Sequence, residues 1–348
     1  RSGVYFDPIG ATGSYLRALP ERASMLWLAQ LGGPWSEGWN AYPVMFPGLE
    51  LWVAGLAVVV LGIWAVAFRP LLRDDPQMRF WLGGALLATL PACSAFPADR
   101  LLPWIAVGAS AATAQVFLLA VEHRGRLARL LAHGVVGAHL VVGPLLLPVR
   151  AAGITQVRAS IERADRGLPR DPSVAGVDVV LVNPPADPFA SYLPITRAAL
   201  GVPLPASQRW LLTGARPVDV ERVDDHALRL RANGGLFLLP SERLLRDPRT
   251  RPFVVGQRVE TAGLTLEIAE VTPAGAPEVV VARFARPLDD PRTRFFRWEG
   301  DGFVPLEPLS PGETRRLPAA DLVAVAYGKD SAVTQRFGAS TGPSPGAP

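Results

Sequence analysis

The side chains able to do chemistry are few, and they stand in short clusters. Asp99 and Arg100 lie between two apolar stretches. Charges near hydrocarbon are costly and need partners. This pair could hold a lipid-linked phosphate or orient a substrate. The structural reading, in which the two pair with each other or cap the helix that follows, is the favoured one. Asp99 and Arg100 are thus the candidate catalytic residues, and no catalytic role is assigned beyond that. Asp224, Asp225 and His226 offer oxygen and nitrogen ligands to a metal. The same run suits a hairpin turn, where aspartate bonds nearby backbone N–H groups. No further ligands can be assigned, so no metal is expected. Asp289-Asp290-Pro291 reads the same way.

His133 and His139 are six residues apart and do not share a helix face. They suit helix–helix hydrogen bonding rather than a paired metal site. Glu122 and His123 fall at the end of an apolar stretch, where solvation is expected. Cys93 is the only cysteine, so neither an intrachain disulfide nor a cysteine zinc site can be built. The chain has no P-loop or H-E-x-x-H motif, and no cofactor is expected. Asn183-Pro184-Pro185 follows a strand-like run, where an α/β unit places a ligand loop. Its prolines, however, have no N–H to offer a phosphate.

The elements that carry these residues divide the chain. Of the 66 charged side chains, 48 fall in residues 150–348, while residues 51–149 are mostly Leu, Ala, Val and Gly. A bilayer core needs roughly 20 apolar residues per helix. Four stretches meet that: 49–68, 80–97, 101–121 and 127–149. Pro91, Pro97 and Pro103 interrupt the middle two. Soluble helices carry a polar face, and these stretches show almost none. A helical transmembrane bundle of about four spans over 49–149 is therefore expected.

Arginine in short loops marks the cytoplasmic side. Arg69, Arg73 and Arg79 lie between the first two stretches, and Arg124, Arg126 and Arg129 between the last two. Only Arg100 lies in the middle loop. Both chain ends, and the domain from residue 150 on, are thereby expected outside the cytoplasm. Trp52 and Trp104 would mark the outer interface, and Trp64 and Trp81 the inner one. Ala106, Ser110 and Ala114, and also Gly134 and Ala138, recur every four residues. That spacing lets helices approach closely, although Ala and Gly abundance alone would also produce it. Residues 1–48 form an outer loop, in which 14–31 suit an interfacial helix. Trp27, Trp35, Trp39, Tyr42 and Phe46 would anchor this loop at the headgroups.

Residues 150–337 form a mostly-β (α+β) soluble domain. A connector helix leads to a strand at 177–182, a short helix within 187–200 and a strand at 208–212, which together make a βαβ-like unit. Strands are then expected at 218–223, 227–231, 254–260, 264–271, 278–284, 295–299, 302–306 and 322–327. Gly300-Asp301 marks a hairpin. Many short strands of this kind build a sandwich or small barrel. Residues 338–348, rich in Gly, Pro and Ser, are expected to be disordered. The net charge of +4 is interspersed, and Lys329 is the only lysine. A nucleic-acid binder gathers its positive charge instead, so no nucleic-acid partner is expected. The preference for Arg, with abundant Ala, Pro and Gly, suggests a GC-rich bacterial source. Arg1 in place of Met leads us to expect missing upstream sequence.

The run Pro97-Ala98-Asp99-Arg100-Leu101-Leu102-Pro103 places an acidic-Arg pair at an outer turn opening a span. In this the helical half resembles the C-terminal membrane portion of polytopic bacterial proteins related to GT-C glycosyltransferases. Residues 255–272 and 285–308 resemble soluble domains of uncharacterised bacterial membrane proteins. The resemblance implies a lipid-linked sugar donor, with an outer domain that binds the acceptor or a partner. GT-C enzymes carry their catalytic acid in the first outer loop, which would lie upstream of Arg1, so the resemblance assigns no catalytic residue here. The alternative is a non-enzymatic envelope protein whose spans anchor an outer interaction domain. The expected partners are the bilayer and either a lipid-linked substrate or an envelope protein.

Overall fold

The computed structural model describes residues 5–31, 36, 49–122, 126–237, 242 and 246–337. The expected aromatic anchors Trp35, Trp39, Tyr42 and Phe46, together with His123 and the 338–348 tail, lie outside the described residues. The chain divides into two compact units, Arg1–Arg150 and Ala151–Pro348. This division falls at the composition change read from the sequence.

The first unit is helical. Its helices are α1 (Thr12–Gln30), α2 (Leu49–Asp74), α3 (Pro76–Ala92), α4 (Leu102–Glu122) and α5 (Arg126–Val135). A π-helical stretch, Val136–Val142, then joins α5 to α6 (Gly143–Arg166). Among the described residues, three helical runs are long and apolar enough to cross a membrane: Trp52–Asp74, Asp99–Glu122 and Arg129–Arg166. The stretch expected at 80–97 is the exception. Its helix starts earlier, because Asp75 caps it by accepting the Gln77 N–H. It ends at Ala92, where Pro91 and the turn at Cys93–Ser94 close it after 17 residues.

α3 and α4 pack at very short range. A side chain at Gly108 would overlap the Trp81 carbonyl and Ala85. Helical spacing places Ile105, Ala109, Ala112 and Val116 on this same buried face. The expected stripe of Ala106, Ser110 and Ala114 is not the packing face, since Ser110 and Ala114 are exposed. Gly134 has no neighbouring atom where a side chain would start. Of the four tryptophans expected at the interfaces, Trp52, Trp81 and Trp104 are exposed, whereas Trp64 is buried against Phe68. α1 is not a detached helix. Its Leu26 and Leu28 are buried, and Trp27 donates to the Thr89 hydroxyl of α3 at 3.0 Å.

Among its described residues the second unit holds two sheets. The first has the order β2-β1-β8-β9, with β1 Asp178–Leu181, β2 Ser207–Trp210, β8 Thr293–Glu299 and β9 Gly302–Pro305. β1 runs parallel to both β2 and β8, and β8 and β9 form a hairpin. The second sheet is antiparallel, in the order β10-β3-β4-β7-β6-β5. Its strands are β3 Val218–Asp224, β4 Ala227–Arg231, β5 Arg258–Thr261, β6 Leu264–Val271, β7 Pro277–Phe284 and β10 Thr314–Leu317.

Alternation along β1 explains the layering. Val180 and Val182 join a core with Val220, Leu230 and Phe284 of the second sheet. Val179 and Leu181 face the other way, towards Ile161 of α6, Phe189 of α7 (Pro188–Ser191) and Leu193 of α8 (Leu193–Ala199). The result is helices on one face of a mixed sheet and a second sheet on the other, a sandwich rather than a barrel. A buried ion pair ties the helical layer together. Arg197 donates to Asp165, to Pro203 O at 3.0 Å and to Pro169 O at 2.8 Å, and both charged side chains are 1% exposed.

Two strand expectations fail. Residues 322–327, expected as a strand, form α9 (Leu322–Tyr327). Asp321 caps it by accepting the Val323 and Ala324 N–H groups, and Gly328, at φ 91°, closes it. The strand expected at 254–260 shrinks to Arg258–Thr261, because Gln257 N–H closes a turn onto Val254 O with Gly256 at φ 79°. β10 and the terminal helix α10 (Ala332–Phe337) were not read from the sequence.

Candidate functional site

Asp99 opens a 3-10 turn, Asp99–Leu101, that leads into α4. Its Oδ1 accepts the Ser36 N–H at 2.9 Å and the Ser36 hydroxyl at 2.8 Å. The carboxylate therefore ties the chain at Ser36, a buried residue, to the start of the helix. Arg100 is exposed, and its guanidinium lies 5.0 Å from the centre of the Phe96 ring. The two candidate catalytic side chains thus engage different neighbours.

The Asp224-Asp225-His226 run is the turn between β3 and β4. Asp224 accepts the His226 backbone N–H at 2.7 Å and pairs with Arg283 at 3.0 Å. The backbone N–H first, then Arg283, hold its carboxyl below the usual range. His226 Nδ1 lies 3.0 Å from Phe284 O, and Asp225 reaches Arg222 at 2.9 Å. Each ligand-type side chain has its own protein partner. Among the described residues no three His, Cys, Asp or Glu side chains gather as a metal site would require. His133 Nδ1 meets Arg129 O one turn back, at 2.6 Å, and His139 is exposed within the π-helical stretch.

Asp289 and Asp290 matter in another way. A cleft of about 640 Å3 opens in the second unit, within the range of ligand pockets. Its floor includes the buried Leu168, Leu228, Leu288, Phe296, Leu306 and Leu309. Asp289, Asp290, Arg294 and Glu307 supply charge around it, and Thr293 a hydroxyl. Arg222 lies 5% exposed within the wall. It donates to both Asp289 oxygens, at 3.0 and 2.6 Å, to Asp225 and to Leu309 O at 3.0 Å. The hydrogen bonds to Asp289 raise the Arg222 pKa and lower that of Asp289. Asp290 is held at about 2, chiefly by its bonds from Arg292.

The sequence singles out Asp289-Asp290 as a turn or candidate metal ligands and gives no sign of this cleft. Arg222 carried no signal of its own, because its partners lie up to 87 positions away. Asn183 closes no ligand loop either. Its Oδ1 accepts the Trp298 N–H at 2.9 Å and locks β1 to β8. Compared with known protein families, with curated proteins and with solved structures, the chain shows no match.

Proposed function

We propose that this chain is a membrane-held binding protein. Its apolar helices anchor it in a bacterial cytoplasmic membrane, and its β-rich half serves outside the cytoplasm as a binding domain. The observation that carries this reading is the cleft of about 640 Å3, apolar at its floor and charged at its rim. Such a surface suits an occupant with an apolar body and polar ends, either an envelope protein segment or the acceptor of a lipid-linked group. The arginines at 69, 73 and 79 and at 126 and 129, set against Arg100 alone, support the orientation. In this reading α3 is the second of four spans. At about 26 Å long it falls short of a bilayer core of about 30 Å, a mismatch that local thinning accommodates.

The GT-C resemblance supplies the second reading, in which the chain is the C-terminal part of a transferase. Asp99 favours it by placing a carboxylate at the start of an apolar helix. The two bonds that Asp99 accepts from Ser36 favour a structural role. The readings separate by complementation of a strain lacking the chain, with membrane levels checked for each variant. Thr293→Trp, which fills the cleft, and Arg294→Glu, which reverses a rim charge, should abolish complementation. Asp99→Asn should preserve it. The opposite pattern overturns the binding reading in favour of the transferase.

A further inference from the structure

We propose that a groove walled by α1, α2 and α3 holds an acyl chain of an anionic phospholipid from the bilayer, with the headgroup phosphate on Arg79 and Arg69. The inference rests on the membrane reading above. The groove has a volume of about 630 Å3, and its walls include Trp27, Leu61, Trp64, Phe68, Leu82 and Leu86. Its buried polar groups are already satisfied. The Thr89 hydroxyl donates to Ala85 O at 2.8 Å and accepts the Trp27 indole N–H. A cavity with such walls does not hold ordered water.

The walls suit a flexible hydrocarbon chain, since apolar side chains of three helices line the groove along its length.

Charge selects the headgroup. Arg79 stands three residues before Leu82 and seven before Leu86, so it shares their face of α3. Arg69 stands four residues after Ala65, a groove residue of α2. Asp75 marks the turn between these helices, six residues after Arg69 and four before Arg79, so the two guanidinium groups lie near one depth. Both arginines are exposed, as is Arg73. The neighbouring carboxylates are Asp74 and Asp75, and Asp75 is engaged by the Gln77 N–H. A bilayer phosphate completes the set, since basic side chains at a membrane surface attract anionic lipid.

The test uses the full chain, extracted from membranes in mild detergent, with its retained lipid identified by mass spectrometry. Wild type should retain anionic phospholipid above its bulk proportion. Ala65→Phe, which fills the groove, should reduce the retained lipid to background. Leu86→Ala, which enlarges the groove, should leave retention intact and serves as the folding control. Arg79→Gln should lower anionic lipid about fivefold. Wild type without enriched lipid, or Ala65→Phe with wild-type retention, overturns the proposal. Alkaline washing of the membranes is run alongside. Release of the chain overturns the membrane reading itself, whereas a chain that stays but retains no lipid overturns the groove alone.

Discussion

Arg197 and Asp165 show what a single pair does in this fold. Both are 1% exposed, and Arg197 also satisfies two carbonyls. Removing Arg197 leaves the buried Asp165 carboxylate with only the longer contact to Arg170, at 3.7 Å, and breaking such a buried pair costs roughly 3–5 kcal/mol. Arg197→Ala should therefore lower the temperature at which trypsin cleaves the second unit of the membrane-bound chain. The double change Arg197→Met with Asp165→Leu should recover most of that loss, because apolar replacement of a buried pair is often neutral. If Arg197→Ala melts like wild type, the pair carries no stability. Neither this pair nor Arg222 was legible beforehand. An arginine among 34 other basic residues gives no local sign of burial. Its partners Asp165 and Pro169 lie 32 and 28 positions away, in a segment that only the folded layers bring to it.

At the scale of elements, periodicity served where one face is buried and failed where a cap decides. β6 and β7 alternate and were found nearly residue for residue, as was the Asp224–His226 turn. The run Leu322–Tyr327 is apolar at every position, as a short buried strand can be, yet it is helical. Asp321 decides the matter by satisfying two orphan N–H groups at the helix start. Asp321→Ala should cost about 1 kcal/mol. Hydrogen exchange at Val323 and Ala324 should quicken about fivefold as a result. Unchanged exchange there would mean that packing of Val325, not the cap, holds the helix. The short α3 was misread for a related reason. Hydropathy continues through Ala95 and Phe96, while Pro91 and the Cys93 turn stop the helix before them.

Across the molecule, the division at residue 150 was the most legible feature, because charge and hydropathy change together there. The cleft was the least legible, since it joins Gly167, Arg222, Asp289 and Leu306 from four separate segments. The orientation inferred from arginine has a direct check. Cys93 is buried, which leaves the native chain dark to a thiol label. In right-side-out vesicles an impermeant maleimide should label Thr250→Cys at once. It should reach Gln77→Cys, in the first turn of α3 between Arg73 and Arg79, only after permeabilisation. The reverse order would turn the molecule over.

The register of β1 also sets a timetable. Asp178 pairs with Thr293, and Asn183 reaches Trp298 across 115 positions. A chain emerging from the ribosome or translocon releases β1 and β2 first and must then hold β1 with an open edge until β8 arrives. Five strands of the second sheet, β3 to β7, emerge within that interval and have mostly neighbouring partners. Long-range parallel pairing is intrinsically slow, and an unpaired edge invites association with other chains. The antiparallel sheet is therefore the part positioned to assemble early. The half-built parallel sheet is the point at which a holding chaperone would protect the nascent chain.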